Sequence, residues 1–202
     1  MKPNFILLII INLILLGCNE NKKQSENLTE DASNPKFEEK QTNNTSLRQN
    51  GDYQLLFHST RDASPLISTS EIESILLLPQ GSVTQTNTAN LCAYEIVFTD
   101  GTKTAITISP EKMSRSAIAV EIENFKKDNT GMLQHQISTT GDTYLCLAKP
   151  QSRLMLYNDN YDGYVLIGFL SQMVPKNELA PAEKRRENAI LIGNALLEKY
   201  KN

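Results

Sequence analysis

Cysteine, histidine and a short acid-amide run are the residues of this chain whose types and spacing could do chemistry. Cys92 and Cys146 each fall in a stretch with the alternation of a strand. If the domain is exported it meets an oxidising compartment, where a bridge between them would close a long loop and contribute about 4 kcal/mol in the chain-entropy account. Two buried thiols fit the same residues, so bridge and thiol pair both stand. A redox-active pair is not expected, because there is no Cys-x-x-Cys. His58 and His135 are far apart in sequence, and His135 alternates with Leu133 and Ile137 on one strand face, the setting of a hydrogen-bonded structural histidine and not of a metal site. Asn158, Asn160, Asp162 and Gly163 have the spacing that opens an EF-hand calcium loop. The loop, however, needs a bidentate glutamate where this chain has Phe169, so a hairpin turn is expected. Glu95, Glu121 and Glu123 read as solvated carboxylates, since Glu121 and Glu123 stand too close in sequence to share a helical face. No Gly-x-Ser-x-Gly, His-Glu-x-x-His or phosphate-binding glycine loop occurs, so no catalytic residue, metal site or cofactor is expected.

The third cysteine, Cys18, has a different context. Lys2 precedes an apolar run from Phe5 to Leu16, broken only by Asn12 and followed by Gly17-Cys18. The run falls short of the ~18 residues a spanning helix needs and fits an export signal, residues 1–17. Leu15-Leu16-Gly17-Cys18 resembles the lipobox of bacterial lipoproteins. That resemblance implies cleavage before Cys18, diacylglyceryl on its sulfur and an acyl chain, often palmitate, on its new amino group. Two or three buried chains, at about 0.8 kcal/mol per methylene, anchor a protein stably. Asn19 is not the aspartate that resembles an inner-membrane retention signal. The expected address is therefore the bacterial cell envelope: the outer membrane where there are two, otherwise the outer face of the cytoplasmic membrane.

After the cysteine, residues 18–50 are rich in Asn, Gln, Glu, Lys, Ser and Thr, with only Leu28, Phe37 and Leu47 as large apolar residues. Such a segment cannot bury enough surface to offset its ordering entropy and is expected to be a disordered tether with a root-mean-square reach of roughly 30 Å. Its Asn27-Leu28-Thr29 and Asn44-Thr45-Ser46 triplets read as chance matches to a glycosylation sequon.

The elements that must position everything else lie in 51–202, read as a single α+β domain, an antiparallel sheet packed by helices. Ser70 with Glu73 suggests a capping box for a short helix that Pro79 stops. Cys92, Tyr94, Ile96 and Phe98 alternate as one strand face, and Thr104, Ile106 and Ile108 as the facing one. A two-residue turn at Asp100-Gly101 would put these rows on opposite faces. A three-residue loop, Thr99-Asp100-Gly101 with Gly101 left-handed, aligns them by pairing Ile96 with Thr104 and Tyr94 with Ile106. Ser109, Pro110 and Glu111 read as cap and first turn of a helix to about Asp128, with Met113, Ala117 and Val120 beside Ile118, Ile122 and Phe125 as a broad apolar stripe. Strands are expected at Leu133 to Ser138, Thr143 to Ala148, Arg153 to Tyr157 and Tyr164 to Leu170. The last is nearly all apolar and hence central, and the order suggests an antiparallel meander. Pro181 to Tyr200 reads as an amphipathic helix docking through Ala189, Gly193, Leu196 and Tyr200.

This order, with Cys92 opening a strand and Gly141-Asp142 leading into the later strands, resembles the PsbP-like α/β/α sandwich of the photosystem protein PsbP and of LpqN-like envelope lipoproteins. The resemblance implies a non-catalytic binding or scaffold module. The formal net charge of −3 and a pI near 5.5 supply no basic field for nucleic acid. The expectation is a membrane-anchored, non-enzymatic lipoprotein that binds an envelope protein or small ligand. A narrower form is an immunity or inhibitor lipoprotein that captures a toxin. The rival class is an envelope hydrolase using His135 or a carboxylate.

Overall fold

The computed structural model describes residues 51–58, 65–88 and 91–202, all within one compact unit. The leader, Cys18, the tether and its sequon-like triplets lie outside the described residues. In order, the elements are α1 (Gln54–Phe57), α2 (Thr69–Ile75), β1 (Val83–Thr88), β2 (Leu91–Val97), β3 (Lys103–Glu111) and α3 (Arg115–Lys127). They continue as β4 (Leu133–Ile137), β5 (Tyr144–Ala148), β6 (Arg153–Tyr157), β7 (Tyr164–Phe169) and α4 (Ala182–Tyr200), with a 3-10 turn at Ser171–Met173. Among these residues no helix is long and apolar enough to cross a membrane.

Alternation builds one sheet with two apolar faces. Its order is β1-β2-β3-β7-β6-β5-β4, with every neighbouring pair antiparallel. Two meanders, β1 to β3 and β4 to β7, therefore meet at β3 and β7, and the apolar β7 is central as its composition predicts. Tyr94, Ile96, Ile106, Leu145, Leu154, Leu156, Val165 and Ile167 face one way and pack with Ile72 and with Ala189, Ile192, Leu196 and Leu197 of α4. Cys146, Ala148, Met155 and Tyr157 face the other way and pack with Ile118, Ile122 and Phe125 of α3. Helices thus cover both faces, and the fold class is α+β. At Gly193 α4 lies close to the sheet: a Cβ there would stand in ordinary contact, 3.4–3.5 Å, with methyls of Leu154, Leu145 and Leu156.

The β2–β3 hairpin follows its sequence. Ile96 pairs with Thr104 and Tyr94 with Ile106. The Phe98 N–H donates to the Thr102 carbonyl at 2.8 Å and the Gly101 N–H to the Phe98 carbonyl at 2.9 Å. Gly101 is left-handed at φ 81°, so the loop is the three-residue one.

Several elements begin elsewhere than their signals suggest. The capping box on α2 is Ser68 with Glu71, not Ser70 with Glu73. The motif occurs twice, two residues out of phase, and the earlier copy leaves Glu73 buried, accepting the Gly81 and Val83 N–H groups that lead into β1. Ser109, Pro110 and Glu111 end β3 and do not start a helix; α3 begins at Arg115 behind the cap Ser114. There β3 has outrun β2, and Pro110 pairs with Val165 of β7, so proline gives up one ladder bond at most. The stripe on α3 is narrower than expected, since Ala117 and Val120 are exposed. Strand β1 has no counterpart in the expected elements: Val83 is buried in a run of Thr, Gln and Asn, which is edge-strand composition.

Candidate functional site

At the end of the sheet where β3 stops and β7 starts, a cleft of about 620 Å³ is lined by Phe57, His58, Glu111, Lys112, Met113, Ser114 and Asp162. Its floor depends on Gly163. A Cβ there would stand 2.5 Å from the Phe57 carbonyl oxygen and 3.1 Å from that of Glu111, so only glycine lets α1 rest against β3 and β7. The Phe57 ring stacks on Tyr161 at 5.1 Å, and exposed His58 meets the same ring edge-on at 5.8 Å.

Each polar group of the lining that has a resolved bond uses it within the fold. The Ser114 hydroxyl accepts the Ala117 N–H and contacts Ser116 Oγ at 3.1 Å. Asp162 accepts the Arg115 N–H at 3.0 Å and faces the Arg115 guanidinium at 3.7 Å. Glu111 accepts from Ser109 Oγ at 2.9 Å. The cleft pairs an aromatic and a thioether wall with charges of both signs.

Beside it lies a buried carboxylate. Asp142 is 2% exposed and accepts from Tyr53 Oη at 2.8 Å, the Gly51 N–H at 2.9 Å, Thr140 Oγ1 at 2.6 Å and Thr143 Oγ1 at 3.2 Å. The Lys201 ammonium stands 3.6 Å away. Burial pushes this carboxyl up, but the Thr140, Gly51 and Tyr53 hydrogen bonds and the Lys201 charge outweigh it and hold the group below the ordinary range. Tyr161 Oη accepts the Tyr53 N–H and donates to the Gly51 carbonyl, while Asp52 and Asn202 exchange backbone bonds. The cluster clasps both ends of the domain to the β4–β5 turn.

The other singled-out residues scatter. His135 is half-buried on edge strand β4, opposite Cys146, and does not share an element with His58. Asn158, Asn160, Asp162 and Gly163 form the β6–β7 turn. Asn158 donates to the Asp142 carbonyl and to Thr143 Oγ1, and accepts the Asn160 N–H. Among the described residues no group of three His, Cys, Asp or Glu is placed to hold a metal. Glu123 pairs with Lys126, whereas Glu95 sits on β2 opposite Ala105.

Cys92 and Cys146, which the sequence leaves open between a bridge and two thiols, remain thiols. They sit on β2 and β5, with β3, β7 and β6 between, and in different apolar layers. Burial raises both, Cys146 to about 12, so neither is poised as a nucleophile.

Compared with protein-family models, curated proteins and solved structures, the chain matches none. The site therefore rests on its own geometry. Sequence reasoning missed Tyr53, Tyr161 and the role of Asp142, whose contacts span 89 residues or more. The one available signal was Gly141-Asp142, read as the step leading into the later strands and not as a buried carboxylate.

Proposed function

We propose that the protein is a cell-envelope lipoprotein, acylated at Cys18 and tethered through 18–50, whose non-enzymatic domain binds an envelope protein or small ligand in the cleft beside α1. The cleft itself carries the binding half of this reading. It has the volume of a ligand site, with an apolar wall from Phe57 and Met113 and a polar wall from His58 and Lys112. Its serine and carboxylates are committed to capping and turn bonds and not to a nucleophile–base pair. Helices on both faces of the sheet, in this element order, support the PsbP-like sandwich, which transfers no catalytic residue.

Two measurements test it. Mass analysis of the chain made in its native host should find the mature terminus at residue 18 carrying acyl chains; an unmodified Cys18 sinks the address. Affinity capture from envelope extract, using the full-length chain, should retain a partner that His58→Ala and Lys112→Glu each release without a change in melting temperature. A toxin as that partner would select the inhibitor form.

One observation favours the hydrolase alternative: His58 shares the cleft with Glu111 and Asp162. Release of product from purified envelope by the wild type, abolished in His58→Ala, would replace the binding reading.

A further inference from the structure

Gly51 is bonded to Asp142 at the start of β5, so the turns at the other end of that strand lie on the order of 20 Å away. There the β5–β6 turn brings Lys149 and Ser152 against Arg185 and Arg186 of α4, with Leu147, Phe169 and Ala182 completing a small cleft. Three cations converge, and no carboxylate lines the space.

Arg185 is fixed without being neutralised. Its Nε donates to the Ala180 carbonyl at 3.1 Å and its Nη1 to Ser171 Oγ at 2.7 Å, and its guanidinium stands 5.6 Å from the Phe169 ring centre. All three partners are uncharged. Among the described residues, Arg185 Nη2, the Lys149 ammonium and the Ser152 hydroxyl make no hydrogen bond. Only Arg186 has a carboxylate, Glu183 at 3.0 Å, and that residue is largely exposed. Burial and the neighbouring Arg186 charge both hold the Arg185 pKa below its ordinary value, the signature of like charges lacking a counterion. Ser152 has φ 49°, where glycine would be relaxed; the serine places a hydroxyl donor in the cleft instead.

We propose that this cleft, lined by Lys149, Ser152, Arg185 and Arg186, binds a compact oxyanion of the phosphate class. The Nη2 group of Arg185, the guanidinium of Arg186 and an ammonium point charge together match a tetrahedral dianion better than a single carboxylate. The cleft is small and open to solvent, so the phosphate group sits at its mouth while the rest of its carrier stays outside. Ala182, the first residue of α4, adds the positive end of a helix dipole to a field the side chains already set. The site lies at the other end of β5 from the clasp and shares no residue with the cleft beside α1, so it stands or falls apart from that one.

Inorganic phosphate, a soluble glycerol phosphate and phosphatidic acid vesicles all present this group. Calorimetric titration of the full-length chain in non-ionic detergent with inorganic phosphate, at constant ionic strength, should show one saturable site of about millimolar affinity. The Lys149→Gln variant, whose side chain holds nothing in the fold, should weaken it about fivefold, and Arg185→Gln more. Phosphate should raise the melting temperature of the wild type and not of Lys149→Gln/Arg186→Gln. Vesicle binding competed by inorganic phosphate would identify a lipid headgroup as a source. Glycerol phosphate binding without vesicle binding would identify a soluble one. Absence of a saturable site, affinity unchanged in Lys149→Gln/Arg186→Gln, or vesicle binding indifferent to inorganic phosphate would each overturn the proposal.

Discussion

Asp142 shows how much one buried carboxylate can hold: four hydrogen-bond donors from two segments converge on it, and the Lys201 ammonium of a third stands 3.6 Å away. Asp142→Asn would turn an acceptor-only group into one with two donors facing the Gly51 N–H and the Tyr53 and Thr140 hydroxyls. A loss of roughly 2–4 kcal/mol in urea unfolding is expected, with α1 and the chain ends loosening first in hydrogen exchange. The pH dependence has a defined sign. The folded carboxyl titrates below its unfolded value of about 4, so its contribution is complete above that value and disappears as pH falls through the lower, folded one. The stability gap between wild type and Asp142→Asn should therefore be constant near neutrality and close on acidification below about pH 4. Glu71, held at about 2 by the Ser68 N–H and Lys199, loses its contribution in acid in both proteins, so the difference isolates Asp142. A gap that does not narrow at all as pH falls below about 4 would refute the assignment. None of this clasp was legible, because Tyr53 and Tyr161 carry no local pattern and their partners are fixed by the way the strands assemble.

Elements were legible where the pattern repeats and illegible where a signal occurs twice or in a second context. The β2–β3 loop could be deduced because one residue of slip would turn a whole apolar row to the wrong face. The start of α2 could not, since Ser68-x-x-Glu71 and Ser70-x-x-Glu73 are equivalent motifs, and the choice is made by Glu73 bonding Gly81 and Val83. Thermal melts should separate them: Ser68→Ala loses about 1 kcal/mol with its cap, while Ser70→Ala changes stability little. Ser109-Pro110-Glu111 misled for a related reason, as a proline that opens helices also fits a strand end bonded on one side. At the β6–β7 turn, Gly163→Ala would press a methyl into two backbone carbonyls and should cost about 1–3 kcal/mol while displacing Phe57 and His58. Weaker partner capture by Gly163→Ala, in excess of its unfolded fraction, would tie α1 docking to the cleft.

At the scale of the whole molecule, the order of strands in space decides what the order in sequence leaves open. A disulfide needs Cα atoms within about 7 Å. If the sheet followed chain order, β2 and β5 would still have two strands between them. Inserting β7 between β3 and β6 makes that three, a separation of roughly 19 Å, and the two side chains point into opposite layers. No rotamer change closes that distance, so the pair should stay reduced even when the protein is made in an oxidising compartment. Alkylation of the denatured chain without reductant should modify Cys92 and Cys146 alike, with no further labelling after reduction. In the native protein Cys146, fully buried under α3 and raised to about 12, should react many times more slowly than in urea, and α3 must lift off to expose it. A bridge found between the two would contradict the β3–β7 junction, and with it the single sheet on which both clefts depend.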